Sequence, residues 1–393
     1  MQEDTVSLEE LIADANDCLR RTEHSSSDRD LIPTQKPSSR KRKKGPRKAL
    51  LALAVAAVIL LETLLLLAGT LYGVMFILAK GPSPTARNLF IRSVRETSAV
   101  GFLANLFYSE AQIQQIIGDN SAVPDYEEID DSLVQIPQPQ PDDDTPDTPE
   151  TDAWGLTDED GDGIIVEMVR GEGYYGYMMV VLDPSRVIMG SVPESYGSRG
   201  YTVEQMVDRF DAVAGINGGG FYDPDGKGNG SIPDTMVVYE GQIYYPENGT
   251  RRGFAGFDSE HRLHVGNFTQ EQIKEKDIRY GVCFGPGLII NGKVVDSSIL
   301  DSGVNPRTGI GQRSDGAVLM LVINGRQIGS LGATFGDMAE IFLSYGAVNA
   351  CNLDGGSSSM MWYNGEYINN SASVIGIRPI PTAFLVLKEG NNP

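Results

Sequence analysis

Basic residues are the first shortage. The 393-residue chain sets 32 Lys and Arg against 53 Asp and Glu, a formal charge of −21. A chain with that balance lacks the basic footprint that neutralises phosphate backbones, so a general nucleic-acid binder is excluded. Cysteine is scarce as well: Cys18, Cys283 and Cys351 are too few for a disulfide scaffold and lack the close pairs of a structural zinc site. His261 and His264 lie three residues apart, which on one strand puts them on opposite faces and argues against a histidine-based metal centre or triad. A Gly-x-Ser-x-Gly elbow, a Walker loop and a Rossmann fingerprint after a strand are all missing. What is plentiful is glycine, 45 residues against 21 Pro, with 41% hydrophobics. That describes a globular, loop-rich chain with one large domain and appendages.

One apolar run is long. From Ala49 to Ala79 the single charged residue is Glu62, and the run exceeds the roughly 20 residues an α-helix needs to cross a bilayer. The 48 residues before it are too many for the n-region of a signal peptide, so an uncleaved transmembrane helix over 49–79 is expected. Arg40 to Lys44, Arg47 and Lys48 crowd its N-terminal end; the positive-inside rule then puts a tail of residues 1–48 in the cytoplasm and the C-terminal bulk outside. Glu62 would cost about 2.5–3.5 kcal/mol at the bilayer centre. A spanning window shifted to 61–79 moves it to the inner interface, and a helix–helix contact is the other reading. In the tail, Ser7 to Glu10 form a capping-box pattern ahead of Leu11, Ile12, Ala15 and Leu19, a short amphipathic helix that would be marginal alone.

Beyond the membrane, apolar spacing over residues 80–118 predicts a helical juxtamembrane stalk. Residues 119–162 carry 16 acids and no Lys or Arg, with repeated prolines, which predicts a self-repelling, extended linker. At its end Asp158, Asp160, Asp162 and Gly163 resemble the start of a calcium loop, but the twelfth position is Val169, where a bidentate Glu is needed. Calcium is therefore the one cofactor the sequence raises, and an acidic linker entering a strand is the plainer reading.

The remaining 163–393 read as an α+β domain, a mixed and largely antiparallel sheet with a few helices. Strand character runs from Tyr174 to Asp183, a helix starts after the Thr202/Gln205 capping pair, and another is expected over about Gly336–Tyr345. Asn291-Gly292, Asn324-Gly325 and Asn364-Gly365 each lie between apolar runs, the strongest short-range hairpin signal.

Three loops carry candidate chemistry. After the apolar strand Ala212–Ile216 comes Asn217-Gly218-Gly219-Gly220-Phe221, where the missing Cβ atoms let backbone N–H groups approach a ligand oxygen. After the strand Val348–Leu353 comes Asp354-Gly355-Gly356-Ser357-Ser358, a carboxylate at a strand end, suited to proton transfer or to holding a sugar hydroxyl. Between them lies Asn305-Pro306-Arg307-Thr308-Gly309-Ile310-Gly311, a guanidinium on a stiffened loop, suited to phosphate or carboxylate. A Gly-rich turn, a capped turn and a surface arginine are the plain alternatives. Tyr174, Tyr175, Tyr177, Tyr222 and Trp362 could stack on sugar rings, though aromatics in strands are more often core.

These loops in this order, with Gly285-Pro286, Asp315-Gly316 and a closing Arg378-Pro379, resemble the phosphodiester glycosidase family over roughly residues 163–387. The resemblance implies hydrolysis of a sugar joined through its anomeric oxygen to phosphate, with Asn217, Arg307 and Asp354 as catalytic residues. Gly218, Gly219, Thr308, Gly355, Gly356, Ser357 and Arg378 would be substrate contacts, and no metal ligand is among the expected site residues. Arg307 and the Gly218 and Gly219 amides would stabilise the leaving phosphate, Asp354 would act as base or nucleophile, and Asn217 would orient a sugar hydroxyl. The second carboxylate of ordinary glycosidases has only Asp337 and Asp315 as candidates. Gly220 and Ser357 depart from the usual family pattern and bear on substrate preference. The expected partner is a glycan phosphodiester at a bacterial cell surface; a glycan-binding or envelope-assembly module without turnover, and a transferase or lyase using the same pocket, are the competing readings.

Overall fold

The structure, a computed structural model, describes residues 46–97, 100–117, 126–137, 151–223, 228–245, 253–297, 299–300, 302–373 and 376–390. The capping-box helix expected in the tail lies outside them. Helix α1, Pro46–Lys80, covers the apolar run, and Leu50–Lys80 is long and apolar enough to cross a membrane, with a mean hydropathy of 2.8. At about 1.5 Å per residue it exceeds the ~30 Å hydrocarbon layer.

The expected stalk is two helices with a core of their own. Helix α2, Pro84–Arg95, starts at Ser83, whose hydroxyl accepts from the Ala86 N–H, with Pro84 in the first turn where its missing N–H costs nothing. A 3-10 turn at Gly101–Leu106 and helix α3, Glu110–Ile117, follow. Ile91, Val94, Ala104 and Ile113 pack together between them.

Two described stretches of the expected extended linker dock on the domain. Residues 126–137 strap onto the domain: the Gly287 N–H donates to the Tyr126 hydroxyl, Asn291 bonds both the Asp130 N–H and the Glu128 carbonyl, and Gln135 N–H donates to the Ser314 carbonyl. Ile129 and Val134 are buried beneath. Farther on, Arg313, 1% exposed, pairs with Asp152 and Asp315 and stacks on Trp154 at 3.9 Å. Self-repulsion among the acids is outweighed where apolar residues and a buried cation give the strap something to hold.

The domain then runs through β1 Ile164–Gly171, β2 Tyr174–Val181, β3 Val187–Ser191, α4 Val203–Arg209, β4 Ala212–Asn217, β5 Val237–Tyr239, β6 Gln242–Tyr244, β7 Phe254–Asp258, β8 Leu263–Gly266 and α5 Gln270–Glu275. It continues with β9 Ile278–Cys283, β10 Gly287–Ile290, β11 Lys293–Val294, β12 Arg307–Arg313, β13 Val318–Ile323, α6 Phe335–Ser344, β14 Ala347–Leu353, β15 Met361–Tyr363, β16 Glu366–Tyr367 and β17 Thr382–Leu387. Among the described residues these strands form three antiparallel sheets, in the orders β1-β2-β13-β12-β14-β10-β11, β16-β15-β4-β17-β3 and β6-β5-β9-β7-β8. All three turn one face to a shared core that includes Met179, Ile216, Val237, Phe257, Ile310 and Phe384.

Period-two alternation decides the other faces. On β13, Val318, Met320 and Val322 join the shared core, while Leu319, Leu321 and Ile323 face α6. Helix α4 covers the second sheet through Val203, Met206 and Val207, and α5 covers the third through Ile273. Helix α6 seats on β12 because Gly309 and Gly311 leave room: a Cβ at Gly309 would lie 2.9 Å from the Phe342 ring.

Asn291-Gly292 and Asn364-Gly365 do close two-residue hairpins, with Asn φ of 51° and 55° followed by Gly φ of 74° and 86°. Glu240-Gly241 does the same without the asparagine signal. Asn324-Gly325 does not: Asn324 lies just past the end of β13, its side chain accepts from the Asn370 N–H, and the chain leaves toward α6. Cys283 and Cys351 are both buried and not joined in a disulfide.

Phe342 is 0% exposed between α6 and β12, so Phe342→Ala should cost about 3–5 kcal/mol through lost burial and a residual cavity. A midpoint of thermal unfolding within a degree of wild type would contradict this packing.

Candidate functional site

Three strand ends meet at one amide. Asn217 closes β4 and is 1% exposed. Its Nδ2 donates to the Asp354 carbonyl at 2.6 Å, and its Oδ1 accepts from the Thr308 hydroxyl at 2.8 Å and the Met360 N–H at 3.1 Å. The side chain thus ties the Asn-Gly-Gly loop, the start of β12 and the Asp-Gly-Gly loop together. These bonds engage three of the four hydrogen-bonding directions of the amide, where a contact to a sugar hydroxyl was expected.

The glycine amides are engaged too. Gly218 N–H donates to the Thr382 carbonyl at 2.9 Å and Gly219 N–H to the Thr382 hydroxyl at 3.0 Å. Gly218 O accepts from the Asp354 N–H at 3.1 Å. Their role in this structure is to clamp β17 and the Asp354 turn against β4, where an oxyanion contact was expected.

Asp354 is largely buried at that turn. Crowding by protein desolvates the carboxyl, and with the negative charge of Asp234 this pushes its pKa up to about 7, against the Ser358 hydroxyl, the Arg378 guanidinium and the Gly355 N–H. A carboxyl that exchanges its proton near neutrality is suited to acid–base work. Arg378, 7% exposed, forms a bidentate pair with Asp223 at 2.6 and 2.7 Å, donates to the Ser357 hydroxyl at 3.1 Å and stacks on Phe221 at 4.8 Å. Its Nε is buried without a hydrogen-bond partner. Tyr222, between Phe221 and Asp223 in sequence, is 63% exposed. Tyr174, Tyr177 and Trp362 instead pack against core clusters.

Arg307 stands on the other side of the Gly355-Gly356 turn, whose Gly356 N–H bonds the Pro306 carbonyl at 2.8 Å. It is 6% exposed, with Nε on the Ala333 carbonyl, Nη2 on the Gly303 carbonyl and on Glu96, and Phe335 stacked at 4.2 Å.

Both sequence candidates for a second carboxylate have other tasks. Asp337 closes the capping box of α6 with Thr334, and Asp315 pairs with Arg313. The carboxylate beside Asp354 is Asp234, whose N–H bonds the Gly220 carbonyl at 3.2 Å and whose oxygens would lie about 3.0 Å from a Cβ at Gly220. Sequence reasoning missed it, and missed Glu96 as well. Neither has a local signature, since each meets its partner only through the fold; the bareness of Gly220 was the one available hint.

The three acids of the calcium-like loop have ligand oxygens within 4.8 Å of one another. Asp158 also accepts from the Gly161 and Gly163 N–H groups, and Asp162 from the Ile164 N–H and the Tyr363 hydroxyl. These bonds account for the turn, and a calcium ion held there would brace the entry to β1.

Known proteins resemble parts of this chain. The profile of the phosphodiester glycosidase family matches residues 210–387. An uncharacterised SPbeta prophage-derived protein of Bacillus subtilis, YomE, is 33% identical over 181 residues, 43% of this chain, and the match spans about a quarter of that relative's length, 27%. Among solved structures, the zebrafish N-acetylglucosamine-1-phosphodiester alpha-N-acetylglucosaminidase catalytic domain, auto-inhibited by its pro-peptide, aligns with a TM-score of 0.49 and 18% identity over 57% of this chain and 82% of that one. A hypothetical protein from Synechocystis aligns with a TM-score of 0.46 and 14% identity over 57% and 62%. The loops that Asn217 joins all fall within the matched segment, and it is this segment that is similar to the phosphodiester glycosidase family.

Proposed function

We propose that this domain hydrolyses a sugar-1-phosphodiester to free sugar and a phosphomonoester, acting on glycans outside the membrane in which α1 is anchored. The observation that carries the reading is Asp354, a carboxyl whose proton exchanges near neutrality, set on a glycine turn between a buried arginine and a second acid within the segment similar to the phosphodiester glycosidase family. The basic cluster from Arg40 to Lys48 supports the orientation.

In the reaction, water adds to the anomeric carbon as the bond from that carbon to the phosphoryl oxygen breaks. Asp354 in its ionised form takes the proton of the water, and the phosphomonoester departs with the bridging oxygen. Phosphate is a good leaving group, so the negative charge developing on it needs cationic donors more than a strong acid, which Arg378 and Arg307 supply. Tyr222, exposed and next in sequence to Phe221 and Asp223, offers a ring face for stacking on a sugar. Asn217, with Thr308, Gly218 and Gly219, acts as a positioning group that fixes where Asp354 stands.

One observation favours the reading without turnover. Asn217, Arg307 and the amides of Gly218 and Gly219 are all engaged in internal bonds, as a rigid binding module would have them. The two readings separate on Asp354→Asn. Hydrolysis of an N-acetylglucosamine phosphodiester should fall about 10²–10⁴-fold, with KM little changed; a surface glycan binder would release no sugar from either protein.

The wild-type rate should climb with pH on its acid limb until about pH 7, following the Asp354 carboxyl. A limb complete by pH 5 would mean that another, ordinary carboxylate is the base. Stability carries the opposite sign. An acid raised from 3.8 to about 7 opposes folding when it ionises, a cost absent below pH 4 that grows until pH 7. Asp354→Asn should therefore raise the unfolding temperature at pH 8 and leave it nearly unchanged at pH 4; a loss of stability at pH 8 would contradict the shift.

A further inference from the structure

The loop ahead of β12 is built to hold an anion, and it holds one that belongs to the chain itself. Glu96, just past the end of α2, places Oε1 on the Gly303 N–H at 2.7 Å and Oε2 on Asn305 Nδ2 at 2.9 Å and Arg307 Nη2 at 2.7 Å. Three protein donors converge on one carboxylate, two of them from residues that are 3% and 6% exposed, Asn305 and Arg307. Arg326 stands beside them, donating through Nη2 to the Thr97 hydroxyl at 2.7 Å and to Asn305 Oδ1 at 2.9 Å. Its pKa is lowered by desolvation and then by the charge of Arg307. The same nitrogen would lie 3.4 Å from a Cβ at Gly356, so the cluster borders the turn that carries Asp354.

The charge count is informative. Arg307 and Arg326 face Glu96, and Asp337 from the first turn of α6 acts on Arg307 as well. With Glu96 in place, two cations meet two anions. With Glu96 withdrawn, one positive charge is unmatched beside a set of fixed, dry donors, and such donors bind an anion strongly. A phosphodiester carries a single negative charge on two non-bridging oxygens, the same charge and the same two-oxygen fork as the carboxylate it would replace.

Resting on the hydrolytic reading above, we propose that Gly303 N–H, Asn305, Arg307 and Arg326 form the phosphodiester subsite of this enzyme, and that Glu96 of the juxtamembrane segment occupies it as a displaceable stand-in. The segment is seated for this purpose. The Val304 N–H donates to the Ser93 hydroxyl at 2.8 Å, and a Cβ at Gly303 would lie 2.3 Å from the Ser93 nitrogen. A side chain at residue 303 would push the end of α2 away while keeping the N–H donor. Substrate and juxtamembrane segment thus compete for one place, and the state of the segment next to the membrane sets how open the site is.

The test uses the full chain in detergent micelles and dimethyl phosphate as the simplest phosphodiester monoanion, with binding followed by calorimetry. Glu96→Gln removes the competing charge and should tighten binding by about tenfold or more, the worth of a hydrogen bond to a charged group. Gly303→Val, which displaces the segment by bulk alone, should tighten it as well. Adding Arg326→Met to Glu96→Gln should cancel most of the gain. Unchanged or weaker binding in both Glu96→Gln and Gly303→Val overturns the proposal and leaves Glu96 as a brace for Arg307. Tighter binding without hydrolysis of any sugar phosphodiester would uphold the subsite and sink the hydrolytic reading instead.

Discussion

The site depends on the buried amide of Asn217. Its three hydrogen bonds reach the Asp354 carbonyl, the Thr308 hydroxyl and the Met360 N–H, so the ends of β4, β12 and β14 are held in one arrangement by one side chain. Each of those partners would be left unsatisfied in a dry interior if the amide were lost, at about 1–3 kcal/mol apiece. The glycines around it serve the same end. Gly218 and Gly219 bond Thr382, and a Cβ at Gly218 would lie 2.7 Å from the Thr382 hydroxyl and one at Gly219 3.0 Å from Val282.

That join separates two chemistries that lie one turn apart. On one side stands Asp354 with Asp234, Ser358 and Arg378, where a carboxyl is pushed toward neutrality. On the other stands Arg307 with Asn305 and Arg326, where cations gather around an anion. A reaction in which a sugar gains positive charge and a phosphate departs with negative charge needs both kinds of place, fixed relative to each other before substrate arrives. The Gly355-Gly356 turn is the short bridge between them, bonded to the Pro306 carbonyl.

Much of this was legible in the sequence, and what was legible was local. The apolar run gave α1 its length, the Thr202/Gln205 pair capped α4, and two of three Asn-Gly steps closed hairpins because those steps tolerate the positive φ such turns require. The three glycine loops were readable as candidates since each follows a short apolar strand. The third Asn-Gly step misled: Asn324 bonds Asn370 through its side chain, a partner 46 residues away that no turn rule contains. The roles within the loops were also out of reach. Asn217 and the glycine amides read as ligand contacts, whereas the fold engages them as fasteners, and the acid nearest Asp354 and the carboxylate on Arg307 come from residues 234 and 96. The linker shows the same limit, since its acidity predicts extension but Ile129, Val134 and the buried Arg313 supply docking that composition averages away.

The central claim is that the bond broken lies between the anomeric carbon and oxygen, with Asp354 taking a proton from the attacking water. Hydrolysis of an N-acetylglucosamine phosphodiester in water enriched in oxygen-18, with both products analysed by mass spectrometry, tests it most directly. The account predicts the label in the free sugar and none in the phosphomonoester. Label in the phosphomonoester would place the cleavage at phosphorus and contradict it.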